Sequence, residues 1–197
     1  MLREIRQAIL FNVVAMLLLG GVYPLALWSV GAMTFGSQAE GSLLRRSDGT
    51  IVGSRLIAQP FERPDYFQPR PSAVHFNAGA SGGSNLGPSN RDLAKAVADR
   101  LAAVRSREGQ EAGPVPSELL TASGSGLDPD IPPAAAGLQA ARVARVRGVP
   151  IERVSALIDE HTEPPLLGFL GRARVNVLEL NLALDAAFGP PGGQGER

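Results

Sequence analysis

Apolar and polar residues are unevenly distributed along this chain. No charged residue occurs from Gln7 to Ala39, and AILFNVVAMLLLGGVYPLALWSVGAM, residues 8–33, is apolar on every face of a helix. About 20 such residues suffice to cross the hydrocarbon core of a bilayer, whereas a surface helix of a soluble protein keeps a polar side. The pattern predicts a transmembrane helix over 8–33, preceded by a short terminal segment, residues 1–7. Tyr23 and Trp28 lie in its second half, where amphipathic rings sit at a membrane interface. Pro24 is compatible with a membrane helix and predicts a kink. The length predicts a tilt. A cleaved signal peptide competes with this reading through the small residues Val30-Gly31-Ala32, but the apolar run is about twice the usual h-region.

Beyond the apolar run the pattern changes to that of a globular domain, residues 40–188. SLLRRSDGTIVGSRLIAQPF (42–61) reads as two short strands around a turn at Ser47-Asp48-Gly49-Thr50, because Asp-Gly favours hairpins. Pro60, Pro64, Pro69 and Pro71 exclude helix from 60–76 and predict an extended, packed loop. Leu93, Val97, Leu101 and Val104 share one face of a helix opening at Ser89 or Asn90. Residues 109–116 read as a linker. A second helix starts near Pro133 and ends at Gly148. A third starts at Pro150 with Val154, Leu157 and Ile158 on one face. Arg174 to Val177 predicts a strand, and Asn176 with Glu179 caps a last helix ending near Phe188. The tail 189–197, GPPGGQGER, is predicted to be disordered. The fold class is therefore α+β, one N-terminal transmembrane helix followed by a single domain. SGGSNLGP (81–88) and SGSGLDP (123–129) echo one another, which predicts that the two turns meet in space.

Charge sets the orientation. Arg3 and Arg6 precede the apolar run, whereas Glu40 is the first charge after it and Arg45 and Arg46 come later. The positive-inside rule places residues 1–7 in the cytoplasm and the domain outside. Equal numbers of basic and acidic residues, 19 of each, give no basic surplus of the kind that nucleic-acid binding needs. The absence of cysteine excludes disulfides, thiolate metal sites and cysteine nucleophiles.

Candidate chemistry is sparse. The two histidines, His75 and His161, lack the close spacing of a metal pair. His161 near a helix end suits capping of the last carbonyls. Asp128 and Asp130 read as a turn ahead of a cation site. A serine hydrolase anchored outside the membrane, using His75 or His161, is the alternative enzyme reading; it requires a histidine within reach of a serine hydroxyl. NAGASGGSNLGPSN (77–90) has the glycines of a phosphate loop but no Lys or Arg before Arg91, and neither a Walker A nor a Gly-x-Gly-x-x-Gly pattern. Structural turns are the leading reading, ahead of a protein-contact loop and phosphate binding.

Six blocks carry a family resemblance. They are GSRLIAQPF (53–61), YFQPRPSA (66–73), NAGASGGSNLGPSN (77–90), VPSELLTASGSGLDPDIPPAAA (115–136), RVARVRG (142–148) and LGFLGRARVNVLELNLALD (167–185). With them the chain resembles the C subunit of the Kdp potassium-transporting P-type ATPase of bacteria. The resemblance implies an accessory, non-catalytic subunit in the cell (inner) membrane. Its implied partners are the ATPase subunit, a channel-like potassium-binding subunit and a very small membrane peptide, which together import potassium at the expense of ATP. It also implies a role in assembling the complex, and in raising the ATP affinity of the ATPase subunit as a catalytic chaperone. ATP is the implied ligand. Ser81, Gly82, Gly83 and Ser84 resemble the Ser-Gly-Gly-Gln signature of transporter ATPases, although Asn85 stands where the glutamine belongs. Gln139 is a further candidate contact. An external domain does not meet cytoplasmic ATP, so either the orientation is reversed or the effect is allosteric through the membrane segment.

Overall fold

The structure, a computed structural model, describes residues 1–46, 48–109 and 113–190. Ser47 of the predicted turn, the middle of the linker, 110–112, and the tail from 191 lie outside the described residues. The chain divides into two compact units, Met1–Leu43 and Leu44–Arg197.

The first unit is built on one helix, α1 (Leu2–Thr34), 33 residues long and apolar enough to cross a membrane. It starts earlier than the apolar run, because residues 2–7 continue the helix and the terminal ammonium pairs with Glu4 at 2.7 Å. Its polar side chains turn inward. Asn12, Ser29 and Thr34 each donate to the carbonyl four residues back, at Ala8, Leu25 and Val30. Hydrocarbon offers no other acceptor, so such bonds suit a lipid setting. Pro24 produces a local widening instead of a break. Leu18–Val22 forms a π turn, and the Tyr23 N–H reaches Leu18 O, five residues back. A proline ring crowds the carbonyl four residues earlier, here that of Gly20, and a π turn at that point accommodates it.

The predicted hairpin pairs β1 (Leu43–Arg45) with β2 (Ile51–Ser54). Asp48 accepts from the Thr50 N–H at 2.8 Å and Gly49 takes φ +85°. The predicted helices are present: α2 (Arg91–Glu108), α3 (Pro133–Arg147), α4 (Ile151–Glu160) and α5 (Val177–Phe188). Asn90 rather than Ser89 caps α2, accepting from Asp92 N–H at 2.7 Å. Gly148 closes α3 in the left-handed conformation. Asn176 caps α5 through the Glu179 N–H.

A three-stranded antiparallel sheet, order β3-β5-β4, was only one-third legible. β5 (Arg174–Asn176) is the predicted strand, whereas β3 (Asp130–Ile131) and β4 (Thr162–Glu163) are too short to show a period. Ile131 and Thr162 both face Val175 in register. The core lies between this sheet and the helices. Ala135, Ala136, Ala140 and Ala144 of α3 are buried, and these small side chains let α4 and α2 pack closely.

Candidate subunit-contact surface

The proline-rich segment 60–76 has no regular secondary structure, yet Phe67 at its centre is fully buried. Buried backbone groups need partners. Two side-chain amides supply them. Asn181 of α5 accepts from Phe67 N–H at 2.8 Å and donates to Phe67 O at 3.0 Å. Gln139 of α3 accepts from Gln68 N–H at 2.8 Å and donates to Gln68 O at 3.1 Å. The two helices thus serve the loop as a neighbouring strand would.

Arg142, one helical turn after Gln139, is buried as well. Its Nε pairs with Glu108 at 2.8 Å, and its Nη1 donates to the carbonyls of Pro64 and Tyr66. Burial lowers the Arg142 pKa, opposed by the Glu108 carboxylate. At the outer end, Arg147 donates to Asp65 O and to Asp185, each at 2.8 Å, and stacks 5.1 Å over the Tyr66 ring. The Tyr66 hydroxyl donates to Asp185 at 2.8 Å. Burial, then this bond to a carboxylate, push its pKa up to about 12.

The hydrogen-bonded loop leads into the first of the glycine-rich turns. Gly82 N–H donates to Ser125 O at 2.8 Å, and Ser81 Oγ donates to the same oxygen at 3.1 Å. The two echoed turns therefore meet, as their likeness predicts. A Cβ on Gly83 would sit 3.0 Å from the Gly124 carbonyl oxygen. One on Gly126, at φ +68°, would sit 2.7 Å from the Gly82 carbonyl oxygen and 2.6 Å from Val74. Glycine at these positions permits backbone-to-backbone approach. The Gly82 amide, which a phosphate cradle would need free, is committed to this contact. Ser81 and Ser84 remain exposed on the rim.

Gln139 lies apart from that rim. It is 0 % exposed, and its amide is engaged by Gln68, Ala135 and Arg142. Any influence it has on a ligand or partner passes through the loop it holds. Asp128 pairs with Arg70 at 2.9 Å, and Asp130 approaches Arg174 at 3.4 Å. Burial raises the Asp130 pKa, with Arg174 opposing. His161 Nδ1 meets Leu157 O at 2.9 Å, the predicted cap of a helix end. The serine hydrolase reading needs a histidine against a serine hydroxyl, and this histidine is bound to its own helix backbone.

A feature absent from the sequence reading projects between β4 and β5. Leu166 and Leu170 exchange both backbone hydrogen bonds at 2.9 Å around a turn with Leu167 at φ +55° and Gly168 at φ +83°. Leu166, Leu167, Phe169 and Leu170 are 70, 76, 73 and 48 % exposed. Its signal was available: an apolar run bracketed by Pro164-Pro165 and Gly171 has turn residues at both ends. Asn181, a lone amide in the apolar VLELNLAL, and Arg142, among alanines and valines, were likewise visible as polar residues on core faces.

The family model described as K+-transporting ATPase, c chain, matches residues 5–186. The chain belongs to the KdpC family. Among curated relatives, a potassium-transporting ATPase KdpC subunit of Beijerinckia indica is 50 % identical over 190 residues, covering 95 % of this chain and 96 % of its own. The protein of the same name from Variovorax paradoxus is 54 % identical over 186 residues, covering 93 % and 96 %. That of Methylococcus capsulatus is 49 % identical over 189 residues, covering 94 % and 99 %. The KdpC match thus includes α1, the clamped loop, both glycine turns and the apolar finger.

Proposed function

We propose that this chain is a single-pass accessory subunit of a potassium-transporting ATPase and that it works by contact rather than by chemistry of its own. The observation that carries the reading is the match of the family model across residues 5–186, from α1 to the end of the domain. α1 anchors the chain in the bilayer, packing against partner helices through Gly20 and Gly21, where a Cβ would meet nothing within 4 Å among the described residues. Arg3 and Arg6 favour an external domain. The domain offers two contact features: the rim of the paired glycine turns and the finger Leu166–Leu170. A hydrogen-bonded turn with four exposed apolar side chains costs solubility and fits a partner pocket. The channel-like subunit is the partner suited to an external domain. An effect on ATP affinity would reach the ATPase subunit through α1 and the assembly.

Co-purification tests this reading. The full chain is expected to carry the ATPase and channel-like subunits with it, and L167S/F169S is expected to weaken that capture. The purified chain alone is expected to show no ATP hydrolysis; robust hydrolysis would overturn the proposal. A reporter fused after Ala187 is expected to read the exterior, and a cytoplasmic signal would reverse the orientation.

A further inference from the structure

A cavity of about 590 Å³ opens on the outer face of α5. Its apolar floor is Leu182, Ala183, Ala186 and Pro190, and its rim carries Arg45, Arg46, His161, Glu179 and Asp185. The acids on the rim are already paired. Glu179 lies 3.0 Å from Arg55 Nε, and Asp185 binds Arg147 and the Tyr66 hydroxyl. Among the described residues the arginines have no such carboxylate partner within salt-bridge distance. Arg45 donates to the Gly49 carbonyl at 3.2 Å, and the acidic neighbour of Arg46 is the exposed Asp48 of the hairpin turn. The free charge of the rim is therefore positive, over an apolar floor. That combination suits an anionic amphiphile, with its charged head on the arginines and an alkyl segment along α5. Chain position narrows the choice. Arg45 follows Thr34, the last residue of α1, by eleven positions, so the rim lies within about 40 Å of the helix end along the chain.

We propose that Arg45 and Arg46 with the floor of α5 form a binding site for an anionic phospholipid of the membrane that holds α1. The proposal rests on α1 being membrane-embedded, and it assigns a ligand class to a face that the contact function leaves unused. A bound lipid would tether the domain to the membrane surface, where the anchor keeps the effective lipid concentration high.

The test uses the full chain in detergent, with lipid retention read by native mass spectrometry. Phosphatidylglycerol is expected to be retained over phosphatidylcholine of the same chain length. R45Q/R46Q is expected to reduce that preference by about thirtyfold, the worth of two arginines facing an anionic surface. R3Q/R6Q, at the other end of α1, serves as the control and is expected to leave most of the preference intact. Equal retention of the two lipids would overturn the site, as would a preference lost in R3Q/R6Q but kept in R45Q/R46Q. Displacement of the lipid by excess inorganic phosphate, with matching thermal protection, would make this a phosphate site and overturn the lipid assignment. Carbonate-washed membranes report separately on the anchor: a wild-type chain released by the wash would refute the embedded helix, whatever the lipid result.

Discussion

Asn181 binds Phe67 as an adjacent β-strand would, taking its N–H at 2.8 Å and giving to its carbonyl at 3.0 Å. One side chain thereby satisfies both backbone groups of the most buried residue in a segment that makes no sheet. In N181A both groups stay buried without partners. Each such group costs about 1–3 kcal/mol, so a loss of about 2–6 kcal/mol is expected in urea unfolding of the full chain in detergent. Asn181→Asp keeps the acceptor but sets a buried carboxylate against the Phe67 carbonyl oxygen, so at neutral pH it is expected to be no more stable than N181A. An unfolding midpoint unchanged in N181A would show that the loop is held elsewhere.

The Arg142–Glu108 pair should behave as a coupled unit. Both side chains are buried, so E108Q leaves the Arg142 cation without its carboxylate and is expected to cost about 3–5 kcal/mol, whereas R142M leaves Glu108 paired with Arg107 Nε at 2.7 Å and is expected to cost less. The double variant R142M/E108Q is expected to recover part of the loss. Full recovery is not expected, because Arg142 also serves the carbonyls of Pro64 and Tyr66. Strict additivity in a double-mutant cycle would argue against the coupling.

Gly126 and Gly20 make a contrasting pair. A methyl at Gly126 meets the Gly82 carbonyl oxygen at 2.7 Å and requires a left-handed residue; one at Gly20 meets nothing within 4 Å among the described residues. G126A is expected to lower the melting temperature of the domain by several degrees, about 1–3 kcal/mol of backbone strain plus separation of the two turns. G20A is expected to leave that melt unchanged and to act, if at all, on co-purification of partner subunits. Equal melts for G126A and wild type would place the turn contact outside the folded core.

Tyr66 predicts an alkaline limit to stability. Its hydroxyl pKa rises from 10.0 to about 12 in the folded chain, through burial and then the bond to Asp185. The folded state therefore holds this proton more tightly than the unfolded state. The contribution is complete below about pH 10 and is lost as the pH rises toward about 12. Thermal melts of wild type and Y66F are expected to differ by a constant amount up to about pH 10, with the gap closing above it. Parallel curves through that window would mean that Tyr66 ionises normally.

Much of the architecture could be read locally. The caps Asn90 and Asn176, the left-handed Gly148 and the Asp48-Gly49 turn act on neighbouring backbone, so their residue types suffice to place them. The transmembrane signal is local too, since it depends on the uninterrupted apolar stretch. β3 and β4 were not legible, because two-residue strands exist only through their pairing with β5. The π turn before Pro24 shows the same limit in α1: a kink was foreseen, but the form of the distortion depends on how backbone carbonyls rearrange around the ring.

The site divides along the same line. Sequence alone determined that NAGASGGSNLGPSN is a turn without a cation, that it echoes residues 123–129, and that the chain bears the marks of its family. Tertiary structure decided what the glycines are for, because only the approach of Gly83 to Gly124 and of Gly126 to Gly82 shows where a side chain cannot stand. It also decided the place of Gln139: a polar residue on a helix can face solvent, a ligand or a loop, and the choice follows from what packs against it 71 positions away, at Gln68. Local propensity acts over a few residues, whereas burial and hydrogen-bond satisfaction are settled by contacts that the order of residues does not display.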